Sequence, residues 1–342
     1  MRWDNLRLET GPEDDRLTAP LFDQGAVART FDTPGFRGMT FYEVHARSII
    51  NRVPEASRVP FRFTINPYRG CGHACVYCFA RKTHTYLDLD HGADFDRKVV
   101  VKVNAPELLR KELSSPRWAG EHIAMGTNVD PYQRAEGRYR LMRGILKALR
   151  DFANPFSILT KGTLILRDLD LLEECAEMTD VGTSFSVGFV DEELSRLVEP
   201  GTPRPAARLE AVRKLNETGI PCRVLMAPIL PFLADDDEHL EETVEAIAAA
   251  GATHVSPIVL HLRPGAREWW TAWLQRERPE LVHRYRELYG RGAYAPKEYQ
   301  TEVGARVRAL ARRFGMGANR PQQAADPRRI PPEAPRPEQL TL

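Results

Sequence analysis

Arg69-Gly70-Cys71-Gly72-His73-Ala74-Cys75-Val76-Tyr77-Cys78-Phe79 places three of the chain's five cysteines within eight residues. The Cys-x3-Cys-x2-Cys spacing supplies three thiolates, not four. A closed structural zinc site takes four ligands, and an electron-transfer iron–sulfur cluster normally takes four cysteines. Three thiolates at this spacing suit a cubane cluster with one iron left open to a small molecule. The run therefore points to chemistry and not to a structural staple. The competing reading is a zinc site completed by His73, or by a distant His or Asp. Zinc sites commonly pair two separated Cys-x2-Cys or Cys/His units, and no second Cys-x2-Cys occurs in the chain.

Outward from this run, Phe61-Arg62-Phe63-Thr64-Ile65 alternates and predicts a strand that ends at the cysteine loop. Further strands are expected at His122–Met125, Phe156–Thr160, Thr183–Phe189, Arg223–Ala227 and Thr253–Val259. Amphipathic stretches lie between them. Leu141, Ile145 and Leu149 recur at helical spacing, as do Leu209, Val212 and Leu215, which stop at Gly219. Leu240, Val244, Ile247 and Ala248 form another stripe, preceded by Asp235, Asp236 and Asp237, whose charge suits a helix N-terminus. Six strands taking turns with helices imply an α/β fold with a parallel sheet and right-handed crossovers. Cys175, in an apolar helical stretch, and Cys222, at the start of a strand, read as core residues. An odd number of cysteines, three of them crowded together, argues against a disulfide framework.

The pattern divides the chain. Residues 1–58 mix charge, glycine and proline and are expected to form an irregular N-terminal extension. Residues 59–265 hold the alternating strands and helices. Residues 266–319 read as helices alone, with Trp269, Trp270 and Trp273 on one turn and Tyr299, Val303, Val307, Leu310 and Phe314 in a stripe. Residues 320–342 are proline-dense without aromatics and are expected to be disordered. The formal net charge of +1 excludes a global field that would draw nucleic acid or an anionic membrane, so a nucleic-acid substrate would need a local basic patch. Neither a signal peptide nor an apolar run of membrane-spanning length is present, which leads to the expectation of a cytoplasmic, reducing location.

Asn66-Pro67-Tyr68-Arg69-Gly70-Cys71 leading into Tyr77-Cys78-Phe79-Ala80-Arg81 resembles the cluster loop of radical S-adenosylmethionine (radical SAM) enzymes, in the branch related to spore photoproduct lyase and often labelled DNA repair photolyase-like. Gly126-Thr127-Asn128-Val129-Asp130-Pro131-Tyr132-Gln133 and Ala227-Pro228-Ile229-Leu230-Pro231 resemble further segments of that branch. The resemblance implies a partial (βα)6 TIM-like barrel, open on one side, with a helical C-terminal extension. It also implies that Cys71, Cys75 and Cys78 each ligate one iron of a 4Fe-4S cluster, with S-adenosyl-L-methionine on the fourth iron. The reaction implied is reductive cleavage of S-adenosylmethionine to a 5′-deoxyadenosyl radical, fed by an electron donor such as a flavodoxin or ferredoxin.

The same resemblance assigns candidate cofactor contacts, each beside a plainer reading. Tyr77 matches an aromatic that contacts the adenine, or is a core ring under the loop. Gly126, Thr127 and Asn128 match the strand end that binds the cofactor's ammonium, or form an ordinary turn. Lys161 is placed to pair with the cofactor carboxylate, or is a solvated loop lysine. Ser186 is placed to offer its hydroxyl to the ribose or methionine, or is a buried strand serine. The loop Asp130-Pro131-Tyr132-Gln133 is expected to shape the substrate side. Spore photoproduct lyases present a hydrogen-donating cysteine on the second strand, whereas residues 121–130 here contain none. Cys222 or Tyr132 is left as a substitute donor.

Basic clusters at Arg134, Arg138, Arg140 and Arg143, and at Arg306, Arg308, Arg312 and Arg313, suit a phosphate backbone or are simply solvated faces. The substrate candidates are a DNA lesion or modified base, then a peptide, RNA or metabolite. A reading of another class is a non-catalytic metal-binding or electron-transfer protein. Deleting residues 320–342 is expected to leave cofactor cleavage unchanged, because a proline-rich segment without aromatics builds no core; loss of 5′-deoxyadenosine formation in the truncated chain would overturn this.

Overall fold

The structure, a computed structural model, describes residues 6–7 (backbone only), 26–57, 59–290 and 292–316. Six parallel strands follow one another across a single sheet in chain order: Phe63–Ile65, Ile123–Met125, Phe156–Thr160, Val181–Ser186, Cys222–Ile229 and Val255–Val259. These are called the first to sixth barrel strands below. Among the described residues the sixth does not pair with the first, so the partial barrel stays open. A short antiparallel strand, Ile50–Arg52, extends the first strand's edge. Strands covered on both faces lose the alternation of a half-buried sheet, and Ile123, Ala124 and Met125 are all buried.

The crossover helices match the apolar stripes. Leu141–Asp151 buries Leu141, Ile145 and Leu149, and Pro205–Glu217 buries Val212 and Leu215. Gly219, beyond the latter helix, takes φ +81°, the left-handed conformation that suits a helix stop. At Asp237–Ala249 the cap is Asp236, whose carboxylate accepts the His239 amide at 3.0 Å. Among the described residues no helix is long and apolar enough to cross a membrane.

The C-terminal helices Ala266–Glu277, Val282–Tyr289 and Lys297–Arg313 close over the sheet. Trp270 and Trp273 stack at 4.8 Å. Tyr285 and Tyr289 donate to the carbonyls of Pro231 and Leu260, each at 2.7 Å, just past the fifth and sixth strands. Helix Lys297–Arg313 lies on the helix Asp237–Ala249 and on the sixth strand.

The N-terminal region departs from expectation. Within residues 1–58 the chain forms Val27–Arg29 and Thr40–Ala46, and the backbone of Leu6–Arg7 pairs with the latter. Thr40–Ala46 runs parallel to Lys98–Lys102, a strand inside the crossover between the first and second barrel strands. The reason is non-local pairing: Phe41 and Tyr42 gain partners only when Val99 and Val100 arrive from far along the chain. Tyr68–Arg69, immediately before the cysteine loop, pairs with the same strand. This second sheet therefore anchors the entrance to the loop. The disorder expected for 320–342 concerns residues outside the described ones.

Gly126 ends the second barrel strand at φ +81°, and a β-carbon there would stand 1.8 Å from the Leu159 carbonyl oxygen of the third strand. Gly126→Ala combines a left-handed backbone with a collision against fixed main chain. It is expected to destabilise the fold by about 3 kcal/mol or more. A thermal midpoint within a degree or so of the parent would refute this.

Candidate functional site

The cysteine loop lies in the core. Cys71 and Cys75 are 6% and 7% exposed, and Cys78 is half-buried. Buried backbone groups need partners, and here side chains from distant elements provide them. Gln133, fully buried, accepts the Gly72 amide and donates to the Gly70 carbonyl, both at 2.9 Å, so it grips the chain on either side of Cys71. Arg81, fully buried, donates to the Cys75 carbonyl at 2.8 Å and pairs with Asp96 at 2.8 Å. The Gly201 amide donates to the His73 carbonyl at 3.0 Å, and a β-carbon on Gly201 would stand 2.1 Å from the Gly72 oxygen.

Asp130 fastens three segments. One oxygen accepts the Thr160 hydroxyl at 2.6 Å, the other accepts the Lys161 amide at 2.6 Å, and His73 lies 3.4 Å away. Burial pushes its carboxyl up, but His73 and these hydrogen bonds outweigh burial and hold it below the usual range. The 130–133 loop thus faces the cysteine loop.

Behind the cysteines sits a buried ionic group. Glu199 is 2% exposed and lies 3.0 Å from the Lys161 ammonium; it also takes the Arg208 guanidinium and the Tyr77 hydroxyl. Burial would raise its carboxyl, yet Arg208 and Lys161 together pull it down to about 2. Lys161 also donates to the Ser186 hydroxyl at 2.6 Å, which in turn donates to the Ala227 carbonyl at 2.6 Å. Arg208 reaches the Ser186 carbonyl at 3.2 Å. Two cations against one carboxylate leave one surplus positive charge at the ends of the third and fourth strands.

The structure therefore brings Tyr77, Lys161 and Ser186 together with Cys75. Lys161 lies 5.8 Å from the Tyr77 ring, and Trp270 meets that ring edge-on at 6.3 Å. Gly126, Thr127 and Asn128 are half-buried at the end of the neighbouring second strand, and Thr127 and Asn128 make no side-chain hydrogen bond among the described residues. Among the described residues three buried side-chain polar atoms lack partners: Asn66 Oδ1, one residue past the first strand, His84 Nδ1 and Trp270 Nε1. Cys175 and Cys222 are fully buried core, and Cys222 opens the fifth strand, at the barrel end away from the cysteine loop. Tyr132 is buried with its hydroxyl on Asp168 at 3.2 Å. Glu199, Arg208 and Arg81 escape a sequence reading, because each resembles a solvated charge; the Glu199-Pro200-Gly201 turn is the one local trace.

The donor set fits an iron–sulfur cluster. Burial pushes the Cys71 thiol well above its ordinary value, assisted by the Asp130 carboxylate and the neighbouring thiols; burial also raises Cys75, with Glu199 adding to it, and Cys78. Thiols so disfavoured as anions need a cationic partner to become thiolates. Among the described residues no three His, Cys, Asp or Glu groups converge on a point that a single ion could fill. His73 is engaged with Asp130 and does not complete a zinc cage with the three thiols as they stand.

Known proteins agree with this geometry. Residues 65–256 match the family model described as the radical SAM superfamily. An uncharacterized protein of Mycobacterium tuberculosis is 49% identical over 335 residues, which cover 97% of this chain and 96% of that protein. One from Methanocaldococcus jannaschii is 30% identical over 59% of this chain and 72% of its own length. Among solved structures, spore photoproduct lyase complexed with dinucleoside spore photoproduct superposes with a TM-score of 0.59, covering 80% of this chain and 79% of that one at 18% identity, a likeness of fold. With three cysteines on the loop after the first strand of an open parallel barrel, the chain belongs to the radical SAM superfamily.

Proposed function

We propose that this chain cleaves S-adenosylmethionine reductively at a 4Fe-4S cluster on Cys71, Cys75 and Cys78, and turns the product radical on a damaged or modified nucleotide. The supporting observation is the buried Lys161–Glu199–Arg208 group beside Cys75 and Tyr77, whose surplus positive charge suits a carboxylate. When bound, the cluster and S-adenosylmethionine supply electron transfer into a sulfonium bond and a 5′-deoxyadenosyl radical that abstracts hydrogen.

The chain's own residues bind and orient. Lys161 offers its ammonium to the cofactor carboxylate, and Glu199 and Ser186 hold that ammonium in place. Tyr77, fixed by Glu199, gives an apolar face for the adenine. Gly126, Thr127 and Asn128 offer strand-end polar groups to the cofactor's ammonium. A low-potential donor such as a flavodoxin or ferredoxin feeds the site. A nucleic-acid substrate agrees with the solved neighbour, which is itself complexed with a dinucleoside photoproduct. Hydrogen return from a second-strand thiol is not part of this reading, since that strand presents Ile123, Ala124 and Met125. Cys222, buried at the opposite end of the barrel, cannot replace it.

Anaerobically purified protein is expected to carry about four irons and to form 5′-deoxyadenosine on reduction with dithionite. Cys75→Ala is expected to lose the iron and keep its circular dichroism, at a cost of about 1 kcal/mol for the lost sulfur. A colourless protein with one zinc, or full iron content in the variant, would contradict the ligand assignment.

Lys161→Met is expected to weaken S-adenosylmethionine binding roughly ten- to a hundredfold, the worth of a charge-assisted hydrogen bond, with the cluster spectrum retained. Titration calorimetry on reconstituted protein decides it; unchanged affinity would remove Lys161 from the cofactor site.

A further inference from the structure

The two arginine clusters that the sequence offers for phosphate are partly engaged within the chain. Arg143 pairs with Asp168 and Asp170, Arg306 with Asp237, and Arg313 with Glu241. A different arginine stands clear of carboxylates. Arg263, four residues past the sixth strand, is exposed and has no carboxylate partner among the described residues. Its guanidinium lies 5.5 Å from the Phe79 ring and 6.0 Å from the Tyr294 ring, and it donates to the Tyr294 hydroxyl at 2.9 Å.

Both residues are exposed, Phe79 at 45% and Tyr294 at 46%. The arrangement is built, not incidental. Tyr294 forms a backbone bridge with His261, whose ring meets it at 4.5 Å. Gly265, at φ +90°, lets the chain beyond Arg263 come within 3.2 Å (measured from a β-carbon placed there) of the Lys82 backbone, so an exposed second cation flanks the patch. The nearest acidic side chain in sequence, Glu268, is tied to the Gly265 amide at 2.5 Å. Phe79 directly follows Cys78, and Arg263 follows the end of a barrel strand, so the patch lies on the rim where substrates enter such barrels.

We propose that Phe79, Arg263 and Tyr294 form a stacking ledge for unpaired bases of a nucleic-acid strand, with Arg263 and Lys82 meeting its phosphates. Every base has a π-face that stacks on aromatic rings and guanidinium planes, and a polyanion supplies the charge complement. An acidic peptide would satisfy the cations and leave the rings bare. This rests on the reading of nucleic acid as substrate, and it identifies where an extruded or single-stranded segment would lie.

The test is fluorescence anisotropy with the full chain and a labelled strand of about twelve thymidines, the matching RNA strand, and a duplex. Phe79→Ala and Tyr294→Ala are each expected to weaken single-strand binding roughly 5- to 100-fold, while Tyr294→Phe retains it. Arg263→Gln is expected to lower affinity and reduce the salt slope by about one phosphate contact. The RNA arm distinguishes the two sources of unpaired bases, and tight binding of either strand above the duplex supports the ledge. Wild-type binding that the alanine variants leave within about twofold would overturn the ledge alone, while the nucleic-acid reading stands. Failure of the wild type to bind any strand would overturn both. Cofactor cleavage without substrate, expected unchanged in Tyr294→Ala, reads out the radical chemistry separately.

Discussion

A carboxylate sealed from water between two cations organises the site. A lone ionised glutamate in the interior would cost several kcal/mol in lost hydration. Glu199 avoids that by spending every oxygen: one on Tyr77 and Lys161, the other on Arg208. Those partners belong to the cysteine loop, the end of the third strand and the helix Pro205–Glu217, so one charge balance fixes three elements. Arg208, buried as deeply as the carboxylate, is the partner whose loss would cost most, since breaking a buried pair is typically worth about 3–5 kcal/mol. Because the Glu199 carboxyl is held at about 2, its contribution is complete above the ordinary glutamate range and is lost only as the pH falls towards about 2.

The same economy governs the backbone of the loop. Its amides and carbonyls are taken up by Gln133, Arg81, the Phe95 and Val198 carbonyls and the Gly201 amide, drawn from several parts of the chain. The loop is short, but its geometry is set by buried partners it cannot exchange for water. Cysteines carried on such a frame are held in place before any metal arrives, as a preorganised site requires. The loop therefore belongs to the core and is no appendage to it.

What the sequence makes legible follows from range. The barrel strands declare themselves as apolar runs such as Phe156–Thr160, and the helices as stripes such as Leu141, Ile145 and Leu149, because both patterns are local. The fourth strand begins two residues before its expected start, at Val181, an ordinary boundary shift. The second sheet is invisible by the same reasoning: Thr40–Ala46 and Lys98–Lys102 make a sheet only together. At the site, the cysteines and Lys161, Ser186 and Tyr77 are readable because strand ends and a motif place them. Arg208 and Arg81 are not, since a charged residue whose guanidinium is fully buried looks in sequence like one on a solvated helix face.

Charge carries the last step. With a formal net charge of +1, the chain has no long-range field to collect a polyanion, and at physiological salt surface charges act over only about 8 Å. Arginines close in sequence are poor evidence of a phosphate site when Asp168, Asp170, Asp237 and Glu241 already neutralise several of them. Among the described residues Arg263 has two exposed rings and no carboxylate for neighbours, drawn from segments as far apart as residues 79 and 294. On the reading proposed above, a surface of this kind would gain little from steering and much from stacking, and would favour exposed bases over an intact duplex. That preference suits a radical enzyme, whose reactive centre must meet a hydrogen atom that base pairing would otherwise bury.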